Sequence, residues 1–505
     1  MFFGGNVFAP HLRIQNVPAQ DFLQNHFFSA IQQLIQAIVA NNLHDTVVLG
    51  YDTFNEPLPG YIGVQDLSKL APFKMTLGPT PTLFQGFLLG DGNTVTIDTY
   101  KRSPLGFSKD KKIQANPKGV RAWRNECLWS LHGVWDPKTK KLLDPGYFGR
   151  NPQDPGQKID FLADFWRPFV IRYTERVRSL HPTALIFLEP SVNELPPNWH
   201  TCPDCPKQGL VYAPHWYDGF TLLKKQFSRL FTYDYVGYMR GYFRLPTEGL
   251  AFGIDSIRKS FERQLNRIKN EGLAYIGKCD NSISLIHNFH LYIGENPCLI
   301  GEIGIPFDMK ANDAYETGNY TDQILALDAS LRAVEANLLS YCIWNYCPDN
   351  VNSHGDQWNG EDLSIYSPMA KTASSSARPR NLDPNLYQQL YMGGRALETA
   401  IRPYPKRTSG VPKSLRYDYY KDSRFRYEYT AAGSGSMPTV IYFPRLHYRG
   451  WHVEIECSPG VSWFLQEGEQ QLLVFHQEEH VGSLVWVSIE RVSPDSNGSK
   501  LFACL

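Results

Sequence analysis

The sequence predicts an α/β fold, a parallel (β/α) barrel followed by an antiparallel β-sandwich, and three observations carry that prediction. Amphipathic helical stretches alternate with short apolar runs; those runs finish on polar or aromatic residues; and from about residue 412 the chain changes to short alternating segments. Strands that alternate with helices form a parallel sheet covered by those helices, and no glycine-rich phosphate loop follows any of them. Polar strand ends without such a loop favour a barrel over a doubly wound sheet.

The elements follow in order. Phe27, Ile31, Leu34 and Ile38 fall at helical spacing and lead through the turn NNLHD into an apolar strand over 46–54, which stops at Asn55-Glu56-Pro57. Leu162, Phe165, Phe169 and Tyr173 share one helical face, followed by a strand over 184–190. The run GLVYAPHWY gives a strand over 209–217; a helix over 256–277 then precedes a strand over 296–307. Ile324, Leu327, Leu331, Val334 and Leu338 are in register on a third helix, which feeds a strand over 340–346. Residues 58–158 form a long Pro/Gly-rich insertion carrying Trp123, Trp129 and Trp135, of the kind that covers an active site. The tail reads LRYDYY, FRYEYT, TVIYF, WHVEIEC, QQLLVF and SLVWVSIE, the pattern of an antiparallel sandwich. The expected domains are therefore 1–411, a barrel with the insertion 58–158, and 412–505, the sandwich.

Bulk properties narrow the function. A chain of 505 residues holds one large domain and a smaller one. Its 50 basic residues balance 50 acidic ones, which argues against nucleic acid or a charged membrane as the main partner. Nine scattered cysteines make no disulfide framework, and a reducing compartment follows. Cys202 and Cys205 form half of a zinc motif with no second half in sequence. No signal-peptide pattern opens the chain and no apolar run approaches a membrane span, so an intracellular location, cytoplasm or vacuole, is expected.

Barrel enzymes present reacting groups at the C-terminal ends of strands. Here the first strand ends on Asn55-Glu56, the third on His215-Trp216-Tyr217, the fourth on Glu302 and the fifth on Trp344. Two carboxylates across a barrel mouth are what glycosidic cleavage requires, one protonating the leaving oxygen and the other attacking the anomeric carbon. Pro57 biases Glu56 away from helical backbone. Asn55 can bond a sugar 2-hydroxyl, Tyr217 can donate to Glu302, and Trp344 offers a flat face to a pyranose. Glu189 also ends a strand before a proline, and reads as a core carboxylate rather than a catalytic one. His215 is placed in the binding group.

The segments FNEP (54–57), APHWY (213–217), IGEIGIPFD (300–308), YCIWNYCPDN (341–350) and GDQWNGEDLSIYS (355–367) resemble glycoside hydrolase family 5, and more narrowly its endoglycoceramidase-related branch with fungal glucosylceramidases and ergosteryl-β-glucosidases. The resemblance implies a TIM barrel with a C-terminal β-sandwich, a retaining mechanism, and no metal or organic cofactor. It also implies Glu56 as acid/base, Glu302 as nucleophile, and Asn55, His215, Tyr217 and Trp344 around the glucose. Retention asks for carboxyl groups about 5–5.5 Å apart. The implied partner is a glycolipid, steryl glucoside or glucosylceramide, reached by peripheral membrane contact and without an obligate protein partner.

The front of the chain departs from that pattern. Five strands are legible where barrel closure takes eight, and MFFGGNVFAP resembles the loop that follows a third strand. Relatives carry a Lys and a His-x-Asp pair on strands ahead of that point. A (β/α)8 barrel lacking its first three strands is the expectation, with a start codon set inside a longer gene, uncovered sheet edges, and little or no activity in isolation. The competing readings are a non-catalytic barrel remnant that binds glycolipid or a partner, and an endo-acting cellulase or mannanase with the same carboxylate pair.

Overall fold

Each of the five expected barrel strands forms, and each is shorter than the apolar run that announced it. The computed structural model describes residues 1–70, 76–103, 106–276, 297–358, 360–370, 391–433 and 437–492. Two units emerge, Met1–Ile186 with Thr201–Gly209, and Phe187–His200 with Leu210–Leu505.

In the first unit, helix α1 (Ala19–Ala40) precedes strand β1 (Gly50–Asp52). Its inward face corrects the expected stripe: Gln24, Phe28 and Ile35 are buried, whereas Leu34 is half exposed. Phe28 stacks on Phe169 with ring centroids 5.5 Å apart, and Phe27 meets the same ring at 5.7 Å, so the inward face is broader than the expected stripe at this end of the helix. The expected buried run ahead of Glu56 also fails in its first half. Val47 and Val48 both donate their N–H to Leu43 O, closing a turn, and Val47 and Leu49 are exposed. Only Tyr51 and Thr53 reach the interior. The insertion builds helix α2 (Leu83–Gly90), started by a reciprocal Thr82–Gln85 capping box, and a hairpin of β2 (Val95–Ser103) and β3 (Gly106–Ala115). Helix α3 (Arg167–Arg178) follows, and Leu162, Phe165, Phe169 and Tyr173 are all buried as their spacing predicts. Strand β4 (Leu185–Leu188) begins in this unit, where Leu185 N–H bonds Leu49 O and Ile186 N–H bonds Gly209 O.

The second unit carries β5 (Leu210–Tyr212), helix α4 (Ile254–Glu271), β6 (Leu299–Ile303), helix α5 (Thr321–Ala336) and β7 (Ser340–Ile343). Ala213 N–H bonds Leu188 O, Tyr212 pairs in parallel with Cys298, and Leu299 and Ile300 pair in parallel with Ser340 and Tyr341. Strands thus lie side by side in sequence order with a helix between β5 and β6 and another between β6 and β7, the arrangement of a (β/α) barrel wall. On α5, Leu327, Leu331 and Val334 are fully buried, while Ile324 is half-buried and Leu338 lies past the helix end.

The tail forms two four-stranded antiparallel sheets. Its strands are β8 (Tyr404–Arg407), β9 (Gly410–Asp418), β10 (Arg424–Ala431), β11 (Thr439–Tyr442), β12 (His452–Cys457), β13 (Ser462–Gln466), β14 (Gln471–Phe475) and β15 (Leu484–Val492). One sheet runs β8-β11-β14-β13 and the other β9-β10-β15-β12. Alternation decides the core: Phe425, Tyr427 and Tyr429 of β10 meet Ile441, Leu472, Val474, Val485 and Val487 inside. Strands β8 and β13 were not expected from the sequence, and β8 starts ahead of 412. Arg402, just before β8, is buried with Nε 2.5 Å from Glu335 and Nη1 3.0 Å from Asp328, both on α5. Removing one member of such a cluster strands a buried charge.

Candidate active site

In the second unit the chain leaves β5 as Ala213-Pro214-His215-Trp216-Tyr217, and side chains alternate in direction, as extended backbone requires. Trp216 is buried toward α4, with its Nε1 donating to Gln264 Oε1 at 3.1 Å and its ring edge-on to Phe261. His215 and Tyr217 take the other side and meet Glu302 of β6. Tyr217 Oη donates to Glu302 Oε2 at 2.8 Å, and His215 Nδ1 lies 3.3 Å from the same oxygen. Backbone bonds fix the register: Trp216 N–H donates to Glu302 O and Gly301 N–H to Pro214 O, both at 3.0 Å. A Cβ at Gly301 would stand 3.1–3.2 Å from the His215 ring and Ala213 O, so a side chain there would push the ring by a few tenths of an ångström. At Gly304 a Cβ would sit 2.2 Å from Trp344 O, so that close approach excludes a side chain.

Glu189 follows β4 and is 2% exposed, with Oε1 3.3 Å from His215 Nε2. The core-carboxylate reading therefore describes its setting, and its partner is a site histidine. Trp344 is half-buried at the end of β7, its ring edge-on to exposed Trp358 with centroids 5.9 Å apart, and its peptide bond to Asn345 is cis. The loop beyond is held by groups that sequence reasoning passed over. Asn350 Nδ2 donates to Asp356 at 2.8 Å and to Asp362 at 3.0 Å, and buried Arg395 donates to Asp362 Oδ2 at 3.1 Å and to Ser364 O at 2.9 Å. Their signal was present in GEDLS, but nothing in sequence pairs it with Arg395.

In the first unit Asn55 and Glu56 are exposed just after β1. Phe54 anchors them, with its ring 5.3 Å from Phe2 and 5.5 Å from Phe27, and Tyr173 Oη donates to Asp52 O at 2.7 Å. Glu56 does avoid right-handed helical backbone ahead of Pro57, but through a positive φ of 41°. A left-handed non-glycine residue costs of order 1–3 kcal/mol and persists where its surroundings hold it. Beside it lies a cavity of ≈ 610 Å³ lined by Phe2, Phe8, Leu58, Tyr61, Trp129 and Phe148 together with Glu56. Of the three insertion tryptophans only Trp129 is among its lining residues; Trp135 is buried elsewhere. Cys202 and Cys205 form no disulfide, and among the described residues no cluster of three candidate ligands includes them.

With the geometry in place, comparison with known proteins assigns the class. Residues 402–489 match the glycoside hydrolase family 5 C-terminal domain. A glucosylceramidase of Rhizopus delemar is 32% identical over 508 residues, covering 99% of this chain and 70% of that protein. An ergosteryl-beta-glucosidase of Saccharomyces cerevisiae is 30% identical, covering 93% of this chain and 69% of that protein. The crystal structure of Cryptococcus neoformans sterylglucosidase 1 superposes with a TM-score of 0.86 at 31% identity, over 97% of this chain and 70% of that one. A barrel-type wall whose strands end on carboxylates, joined to an antiparallel C-terminal region of this kind, defines a glycoside hydrolase. The chain belongs to glycoside hydrolase family 5, in the branch of the fungal glucosylceramidases and ergosteryl-β-glucosidases.

Proposed function

We propose that the protein is a retaining β-glucosidase that hydrolyses the O-glycosidic bond of a lipid glucoside, steryl glucoside or glucosylceramide, by double displacement. Glu302 attacks the anomeric carbon as the bond to the lipid oxygen breaks, and the Glu56 carboxyl protonates that oxygen. Water then gives its proton to Glu56 and attacks the same carbon, releasing glucose and restoring Glu302. Asn55 bonds the 2-hydroxyl, His215 and Tyr217 hold the nucleophile, and Trp344 stacks on the sugar; neither step calls for a metal or organic cofactor. The observation that carries this reading is Glu302 accepting from Tyr217 at 2.8 Å with His215 at 3.3 Å, donors that keep a carboxylate ionised and aimed. The aromatic cavity beside Glu56 supports a lipid aglycone over a polymer. Relatives named for glucosylceramide and ergosteryl glucoside support the same substrate class.

The division into a catalytic region to about 411 and a sandwich beyond belongs to this proposal, with β8 as the sandwich's first edge. The chain spans 70% of the length of the Rhizopus relative. No helix among the described residues is long and apolar enough to cross a membrane, and the described cysteines are free, which supports an intracellular setting. The test is incubation with 2-deoxy-2-fluoro-β-glucosyl fluoride followed by peptide mass spectrometry, with a longer chain carrying the upstream strands in parallel. A glucosyl adduct on the Glu302 peptide is expected; an adduct elsewhere, or none in either chain, overturns the reading in favour of a binding remnant.

A further inference from the structure

We propose that Glu189 is a positioning residue for the nucleophile, acting through His215; the proposal rests on the assignment of Glu302 as nucleophile. Three groups stand in a row inside the second unit. Glu189 Oε1 is 3.3 Å from His215 Nε2, and His215 Nδ1 is 3.3 Å from Glu302 Oε2. Glu189 and His215 are 2% and 3% exposed, so bulk water does not settle their proton arrangement.

A neutral imidazole offers one donor and one acceptor nitrogen, whereas an ionised carboxylate only accepts. If the ring carried its single proton on Nε2, the Nδ1 lone pair would face the Glu302 carboxylate, which is repulsive. A proton shared between Glu189 and Nε2 removes that option. Should the proton between them sit on the ring, both nitrogens carry hydrogen and both donate. Should it sit on Glu189, the carboxylic acid donates to Nε2 and the ring proton is left on Nδ1. Either way Nδ1–H points at Glu302 Oε2, where Tyr217 Oη also donates. The carboxylate is thereby gripped from two directions, and Gly301 leaves the ring room to lie there.

The experiment compares the parent, Glu189→Leu, Glu189→Gln and His215→Leu, plus the double variant Glu189→Leu/His215→Leu, which replaces the buried pair by apolar groups and so tolerates folding. The rate of Glu302 labelling by the fluoroglucoside is measured alongside the ring-nitrogen NMR of His215. Expected are labelling about 10–100-fold slower in Glu189→Leu, from a weakened hydrogen bond to a charged group, and inhibitor binding unchanged. Recovery to within about tenfold in Glu189→Gln is also expected, since its amide can donate to Nε2. The Leu change should add nothing in the His215→Leu background, and in Glu189→Leu the ring-nitrogen NMR should show Nε2 without a hydrogen-bond partner while Nδ1 keeps its proton. Equal labelling rates in parent and Glu189→Leu, additive losses in the double variant, or a parent ring without a proton on Nδ1 would each overturn the proposal. Absence of labelling in the parent is a different result, and sinks the nucleophile assignment itself.

Discussion

Glu302 is 15% exposed with Tyr217 and His215 both on one of its oxygens, whereas Glu56 is exposed on a residue with left-handed backbone. Their host strands differ in the same sense. Ile300 and Ile303 on either side of Glu302 in β6 are buried, as are Leu210, Val211 and Tyr212 of the neighbouring β5, while Val47 and Leu49 ahead of Glu56 are exposed. A group that must stay ionised and attack along one line needs donors on rigid neighbours. A group that gives a proton and takes one back needs a surrounding that tolerates both states. On the proposed assignment, this contrast fits the two roles that the residue type alone leaves identical.

The largest expected effect tests that separation directly. Glu302→Gln should lower kcat/KM for any β-glucoside by on the order of 10⁴ or more. Glu56→Gln should lose about 10²–10⁴ on a lipid glucoside and recover to within about tenfold on a dinitrophenyl glucoside, which leaves without a proton. Steady-state assays on both substrates decide it, and equal behaviour of the two variants would erase the distinction.

Next comes the contrast between strands. Val211→Ser should cost about 2–4 kcal/mol in chemical denaturation, for an emptied and polar core position. Val47→Ser, at a residue 69% exposed, should stay within about 0.5 kcal/mol. A large loss at Val47 would mean that the turn ahead of β1 is as buried as β5. Buried His447 extends the same contrast to the sandwich. Its Nε2 lies 2.7 Å from Ile401 O, and burial pushes its pKa down to about 3. Its folded pKa lies below the unfolded one, so the unfolded state binds the extra proton and stability falls as pH drops from about 6.5 towards 3. The loss reaches about 2 kcal/mol at pH 5. Denaturation midpoints across that window should flatten in His447→Gln. Smallest is Trp129→Ala, which should raise KM for a lipid glucoside about tenfold by removing apolar lining and leave an aryl glucoside unaffected.

Sequence reading succeeded where period and burial coincide. The six tail segments became strands whose alternate residues fill the sandwich, and Leu162, Phe165, Phe169 and Tyr173 all turned inward. It failed where burial depends on what stands opposite. Leu34 satisfied the helical spacing yet faces outward, and its neighbour Ile35 is fully buried instead. The run VVLG looked like a core strand, and its first residues close a turn. At the candidate site, the strand-end residues were legible one by one, while the link from Glu189 to His215 and the loop clamp by Arg395 joined residues far apart in sequence.

By itself the sequence determined where the five barrel strands and six of the sandwich strands fall and which side chains bring carboxylate, imidazole and indole to the strand ends, because local period and residue chemistry are written along the chain. Only the tertiary structure decided which oxygen of Glu302 receives Tyr217 and His215, that Glu56 takes a positive φ, and that Trp129 rather than Trp135 lines the cavity. Those outcomes depend on distances between residues distant in sequence, and a hydrogen bond or a packed ring is set by separations of a few tenths of an ångström that no one-dimensional pattern encodes.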